Sequence, residues 1–95
     1  MRIAGRERLA EAGKKHPGSG LDKALAAWVT IVENAAWKNF MDVKASCSGA
    51  DNVPPKVVFN IKGKQFRLTA IVNYVVQTVV VERVQTHPEY TRRGP

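Results

Sequence analysis

Lys56-Val57-Val58-Phe59-Asn60-Ile61-Lys62-Gly63-Lys64-Gln65-Phe66-Arg67-Leu68-Thr69 is the stretch that decides the fold. Lys56 to Lys62 reads as a strand, and Gln65 to Tyr74 as a strand returning beside it. Between them Gly63-Lys64 makes a two-residue hairpin turn, with glycine at the first central position as a type II′ turn prefers. That loop fixes the register. Ile61 faces Phe66 and Phe59 faces Leu68, so one side of the hairpin is core. On the other side Lys62 lies opposite Gln65 and Asn60 opposite Arg67, with Cβ atoms about 5 Å apart. The pattern therefore gathers Asn60, Lys62 and Arg67 on a sheet face turned away from the apolar side. Such a face is either simply solvated or a basic platform for a phosphate backbone.

A third, valine-rich strand follows from Gln77 to Gln85. An even-length loop after Tyr74 places Val80, Glu82 and Val84 on the polar face. An odd-length loop places Val79, Val81 and Arg83 there, because a one-residue slip turns every side chain over. The two registers stay open. After this strand comes Thr86-His87-Pro88-Glu89-Tyr90, where the proline disfavours the α region for His87 and predicts an extended residue or a cap.

Upstream, Met1 to Ala4 reads as a short first strand and Gly5 to His16 as a helix with a thin apolar stripe. Pro17-Gly18-Ser19-Gly20 breaks the chain. Ser19 with Asp22 approximates a capping box for a second helix. In that helix Leu21, Leu25, Trp28 and Val32 form one stripe of a 3.6-residue period. Trp28 lies on the stripe and reads as core, as does Trp37. Asn39 to Pro55 reads as a structured connection with at most one helical turn. The sum is an α+β domain: a short strand and two helices, then an antiparallel meander.

The chain's 95 residues hold one core, so residues 1–95 form a single domain. Fifteen Lys and Arg against eight Asp and Glu give a net charge of +7, which suits a polyanionic partner. No apolar run is long enough for a membrane span. Cys47 is the one cysteine, which excludes an internal disulfide, and two scattered histidines complete no zinc site. A reducing cytoplasm is the expected compartment.

Further residues carry a likeness that spacing does not. Val57-Val58-Phe59-Asn60-Ile61-Lys62-Gly63, Phe66-Arg67-Leu68, Ile71-Val72-Asn73-Tyr74, Gln77-Thr78-Val79 and Thr86-His87-Pro88-Glu89-Tyr90 occur in that order. Ala27-Trp28, Ala36-Trp37, Asp42-Val43-Lys44 and Ala50-Asp51 precede them. From about Leu21 to Tyr90 the chain resembles the HigB family of bacterial type II toxins, distant relatives of RelE. The resemblance implies a RelE-like fold and a ribosome-associated mRNA endonuclease that needs no metal or other cofactor. It also implies a HigA-type helix-turn-helix antitoxin as partner, forming a hetero-oligomer with the toxin.

In such a reaction the 2′-hydroxyl attacks the adjacent phosphate. Arg67 and Lys62 would face the charge that gathers there, His87 would move a proton, and Tyr90 would donate or stack. Asn60, Lys64 and Arg83 would hold RNA. The family tends to carry a basic residue where this chain has Glu82, so either Arg83 takes its place through a local shift, or Glu82 supplies a base, or this copy is weakened. The alternative function is a non-cleaving toxin of the RelE/ParE kind acting on another target such as DNA gyrase, or a plain RNA-binding module.

Overall fold

The computed structural model describes all 95 residues. Along the chain run β1 (Arg2–Ala4), α1 (Arg6–Lys15), α2 (Leu21–Glu33), α3 (Phe40–Ser46) and β2 (Asp51–Val53). β3 (Lys56–Ile61), β4 (Phe66–Asn73), β5 (Thr78–Thr86) and α4 (His87–Arg93) follow. The five strands make one sheet in the order β1-β5-β4-β3-β2. The hairpin register is as its pattern dictates: Ile61 pairs with Phe66, Asn60 with Arg67 and Phe59 with Leu68. Gln65 N–H donates to the Lys62 carbonyl at 3.3 Å to close the turn, and Gly63 takes a φ of 67°. Only glycine adopts that conformation without cost at such a position.

Four features depart from the sequence reading. The sheet is mixed, because β1 lies parallel to β5 with Arg2 opposite Thr78, while the other pairs are antiparallel. The connection before Pro54 contains a seven-residue helix and an edge strand. Asn39 caps α3 by accepting from Asp42 N–H, and β2 pairs with β3 through Asp51 opposite Val58. Ser19 and Asp22 form no capping box; Gly20 is the N-cap of α2, and Ser19 Oγ instead accepts from Leu21 N–H. Most consequential for the site, His87 opens a helix. Thr86 Oγ1 accepts from Glu89 N–H and Glu89 Oε1 accepts from Thr86 N–H, a full capping box around Pro88. Proline is welcome in a first helical turn, where its missing N–H has no intrahelical acceptor. The capping box therefore outweighs the restriction on the residue before proline.

The β4–β5 ladder resolves the open register by the local shift that brings Arg83 into the place expected for Glu82. Asn73 pairs with Thr78 and Ala70 with Val81, but Thr69 pairs with Arg83 and Arg67 with Gln85. Glu82 is therefore the extra residue of a β-bulge. Below it the even-length register holds; above it the odd-length one holds.

The core lies between the helices and one sheet face. Leu21, Leu25, Trp28 and Val32 of α2 are buried there with Leu9 and Ala12 of α1, Phe59, Leu68, Val79 and Val81. Phe59 is 1% exposed and lies between the two tryptophans. Trp28 meets it edge-on at 5.4 Å and Trp37 stacks on it at 6.1 Å between centroids. Both tryptophans are core, as their positions in the sequence predict. No helix is long and apolar enough to cross a membrane.

Candidate functional site

The face opposite the core carries a cross-strand row: Asn60 on β3, Arg67 on β4 and Gln85 on β5, each directly opposite the next. Alternation along β3 and β4 puts the first two there. Gln85 joins them only because of the bulge. Were the ladder to continue in the register it has below Glu82, Val84 would face Arg67 and Gln85 would turn into the core. The same shift sets Arg83 opposite Thr69, one step along this face from Arg67.

Arg67 is the centre of the row. Its Nη1 donates to Asp51 Oδ2 at 3.1 Å, and its guanidinium carbon sits 4.8 Å from the centroid of the Tyr90 ring. An arginine on a solvated face contributes little to stability, but the Arg67 side chain is only 15% exposed, between the β2 carboxylate and the α4 ring. A cation over an aromatic ring contributes about 0.5–2 kcal/mol, and a partly exposed ion pair about 0.2–1 kcal/mol.

Around it several polar atoms are buried without a protein partner: Arg67 Nε, Asn60 Oδ1, Gln85 Oε1 and Thr69 Oγ1. Buried polar groups in native proteins are nearly always paired, and each unpaired one costs about 1–3 kcal/mol. Four of them, on one row and its neighbour, make this face costly to fold. The cost has a use if an external ligand completes the bonds. Arg67 Nε presents a fixed cationic donor, and the two amide oxygens accept.

The remaining candidates are dispersed around the row. The Lys62 ammonium donates to the Ser19 carbonyl on the helical side of the molecule, away from Arg67. Its backbone φ of 54° takes it out of the strand's alternation, so the expected grouping with Asn60 and Arg67 does not form. Lys64 is exposed at the turn tip. His87 is exposed at the first turn of α4, held by its backbone N–H on the Gln65 carbonyl at 3.0 Å. Glu82 reaches across β4 to Lys56, 2.9 Å away, so its carboxylate is already paired with a cation.

Glu89 holds α4 in place, and its carboxyl lies below the usual range because the Thr86 N–H and then the Thr86 hydroxyl bond to it. Burial pushes the Cys47 thiol up, which keeps it protonated and unreactive. No three His, Cys, Asp or Glu side chains gather as a metal site would require.

The sequence reading missed Gln85 and Asp51, and it reached the bulge only as the local shift at Arg83 that the family resemblance suggested. Two signals were there to find. Val79, Val81 and Val84 break a period of two by one residue, which marks an insertion. Thr86-x-x-Glu89 is a capping-box signature, and it brings Tyr90 back over the sheet.

No curated protein was found to match the chain. A family model does: HigB_toxin, the RelE-like toxic component of a toxin-antitoxin system, matches residues 21–93, from the start of α2 to the end of α4. The match spans the polar row, the bulge and the C-terminal helix together, and the chain belongs to the HigB toxin family, whose partner in such a system is an antitoxin.

Proposed function

We propose that this toxin is an mRNA endoribonuclease acting on the ribosome in the cytoplasm, neutralised by a HigA-type helix-turn-helix antitoxin. The observation that carries the reading is the largely buried row of Asn60, Arg67 and Gln85 with its unpartnered donor and acceptors. A phosphodiester with its ribose offers the complement: anionic oxygens for the guanidinium and hydroxyls for the amides.

The reaction class is transesterification. The 2′-oxygen bonds to phosphorus and the bond from phosphorus to the 5′-oxygen breaks, leaving a cyclic phosphate and a free 5′-hydroxyl. One proton leaves the 2′-oxygen and one reaches the 5′-oxygen. Arg67 stabilises the charge that builds on the phosphorane, aligned by Asp51 and Tyr90. His87 is the imidazole that moves the proton, and it enters the reaction when substrate and ribosome close over the start of α4. Tyr90 offers a hydroxyl with no partner in the chain and a ring face for a base. Asn60 and Arg83 hold the strand. Lys62 and Lys64 serve as outlying contacts, because Lys62 is tied to the helical side.

The test is 5′-end mapping of a defined mRNA incubated with the protein, with and without programmed ribosomes, beside Arg67→Ala. The variant should remain folded and lose about 10²–10³-fold in rate, the usual effect of removing a fixed transition-state donor. Cuts in phase with codons that need ribosomes support the whole reading. Cuts on free mRNA retain the nuclease and discard delivery by the ribosome. A folded toxin that cuts nothing in either reaction would overturn the proposal and favour a non-cleaving toxin.

A further inference from the structure

A groove of about 500 Å³ opens on the far side of Asn60 from Arg67. It exists because β2 stops short. The ladder between β2 and β3 ends at Asp51 and Val58, so the edge of β3 from Asn60 onward has no strand beside it. The chain at Gly49 approaches instead, and its carbonyl accepts from Asn60 Nδ2 at 3.2 Å. The approach favours glycine, since a Cβ there would lie 2.6 Å from that amide nitrogen and would push the Asn60 amide aside. One wall is α2, presenting Ala24, Ala27 and Ile31; the other runs from Ser46 to Ala50, and Lys62 and Lys64 stand at the turn end.

Two polar atoms among its lining residues are buried without a partner. Trp28 Nε1 is a donor and Asn60 Oδ1 an acceptor. Trp28 is 3% exposed, and its indole N–H is unpaired while that of Trp37 bonds to Ser46 Oγ. A donor and an acceptor in an apolar slot, with cations at one end, describe the needs of a flat heterocycle attached to a phosphate chain. Asn60 belongs to both the groove and the polar row, so a ligand in the groove lies beside one on Arg67.

We infer that the groove takes one unstacked nucleobase of the RNA strand, next to the bond that Arg67 addresses. The inference rests on the proposed RNA cleavage and adds to it a base-reading subsite. Ala24, Ala27 and Ile31 hold one face of the base and the Ser46 to Ala50 segment holds the other. Trp28 and Asn60 read its edge, and Lys62 and Lys64 meet the phosphate that follows.

The test uses ribosomes programmed with short mRNAs in which each codon position in turn is made abasic. Three proteins are compared: wild type, Ala27→Trp, which fills the groove from an exposed position on α2, and Trp28→Phe, which removes the N–H. For the wild type, one abasic position should lower kcat/KM about tenfold or more, the usual loss when a held base is removed. Ala27→Trp should lower cleavage of intact mRNA by a similar factor and be indifferent to the same abasic position. Trp28→Phe should cut with a changed base preference there.

Equal cleavage by wild type at every abasic position overturns the inference and leaves the nuclease standing. So does an Ala27→Trp protein with unaltered base preference. If that variant cuts normally but escapes neutralisation by its antitoxin, the groove is a protein-docking surface and the inference falls. A wild type that never cuts removes both readings together.

Discussion

β4 is paired on both sides, and its two ladders are built differently. Against β3 every pair from Ile61–Phe66 to Val57–Ala70 follows one register. Against β5 the register slips by one residue at Glu82. The regular ladder supplies the hydrophobic floor, with Phe59 and Leu68 side by side. The interrupted ladder supplies chemistry, because the slip turns Arg83 and Gln85 onto the face of Arg67 and Val84 onto the core. Regularity here serves packing, and the one irregularity serves the site. That division matches the wider tendency of bulges to re-aim side chains next to functional sites.

The division can be broken most severely on the regular side. Phe59→Ala should cost about 3–5 kcal/mol, since it empties the space between two tryptophans at a fully buried position. Urea titration followed by tryptophan fluorescence would register this, and a loss under about 1.5 kcal/mol would show that the two rings close over the gap. On the interrupted side the sign should reverse. Gln85→Leu removes a buried unpaired oxygen and should raise stability by about 1–3 kcal/mol, while weakening RNA cleavage. A destabilised Gln85→Leu protein would mean that Gln85 is structural.

Smaller effects test how α4 is attached to this side. Thr86→Ala removes the cap and should cost about 1 kcal/mol, seen as faster amide exchange in α4 than in β5. The same linkage carries a pH dependence. Glu89 has its carboxyl lowered in the folded state from an ordinary value of 4.5, so its contribution is complete above that value. It should disappear as pH falls through the folded value, loosening Tyr90 from Arg67 in acid. Glu89→Gln should flatten this acid dependence, as followed by the Tyr90 ring resonances.

The smallest expected effect is the most diagnostic. Deleting Glu82 leaves Val79, Val81 and Val84 inward and Val80, Arg83 and Gln85 outward in strict alternation. The pairing above and below is then preserved without a bulge. Such a protein should fold within about 1 kcal/mol of the original, losing chiefly a partly exposed pair with Lys56. A large loss would show that the bulge also sets the strand's twist.

The hairpin was legible from residues 56–69 because its turn and its alternation agree, and each alone would set the same register. The α2 stripe was legible for the same reason, with Leu21, Leu25, Trp28 and Val32 on one face. The bulge was not legible in the alternation, because both open registers were drawn as uniform; only the resemblance suggested a local shift, at Arg83. Lys62 misled because a left-handed φ at the strand end severs side-chain direction from parity. Asp51 lay in a segment read as connection, so its bond to Arg67, 16 positions along the chain, had no visible cause. The family likeness reached further than the pattern did, since it held across the slip at Glu82.

β1 is three residues long, yet it covers Thr78, Val79 and Val80 on the outer side of β5. Those residues lie within Val75-Val76-Gln77-Thr78-Val79-Val80-Val81, seven positions with high strand propensity, no charge and no proline. A bare edge of that kind is a template for pairing with another copy of itself. β1 replaces it with an edge too short to recruit a partner and begun by Arg2. The first strand thus acts as a gatekeeper for the last. Its release, whether by truncation or by slow docking across the length of the chain during folding, would bare that edge and make the protein prone to aggregation.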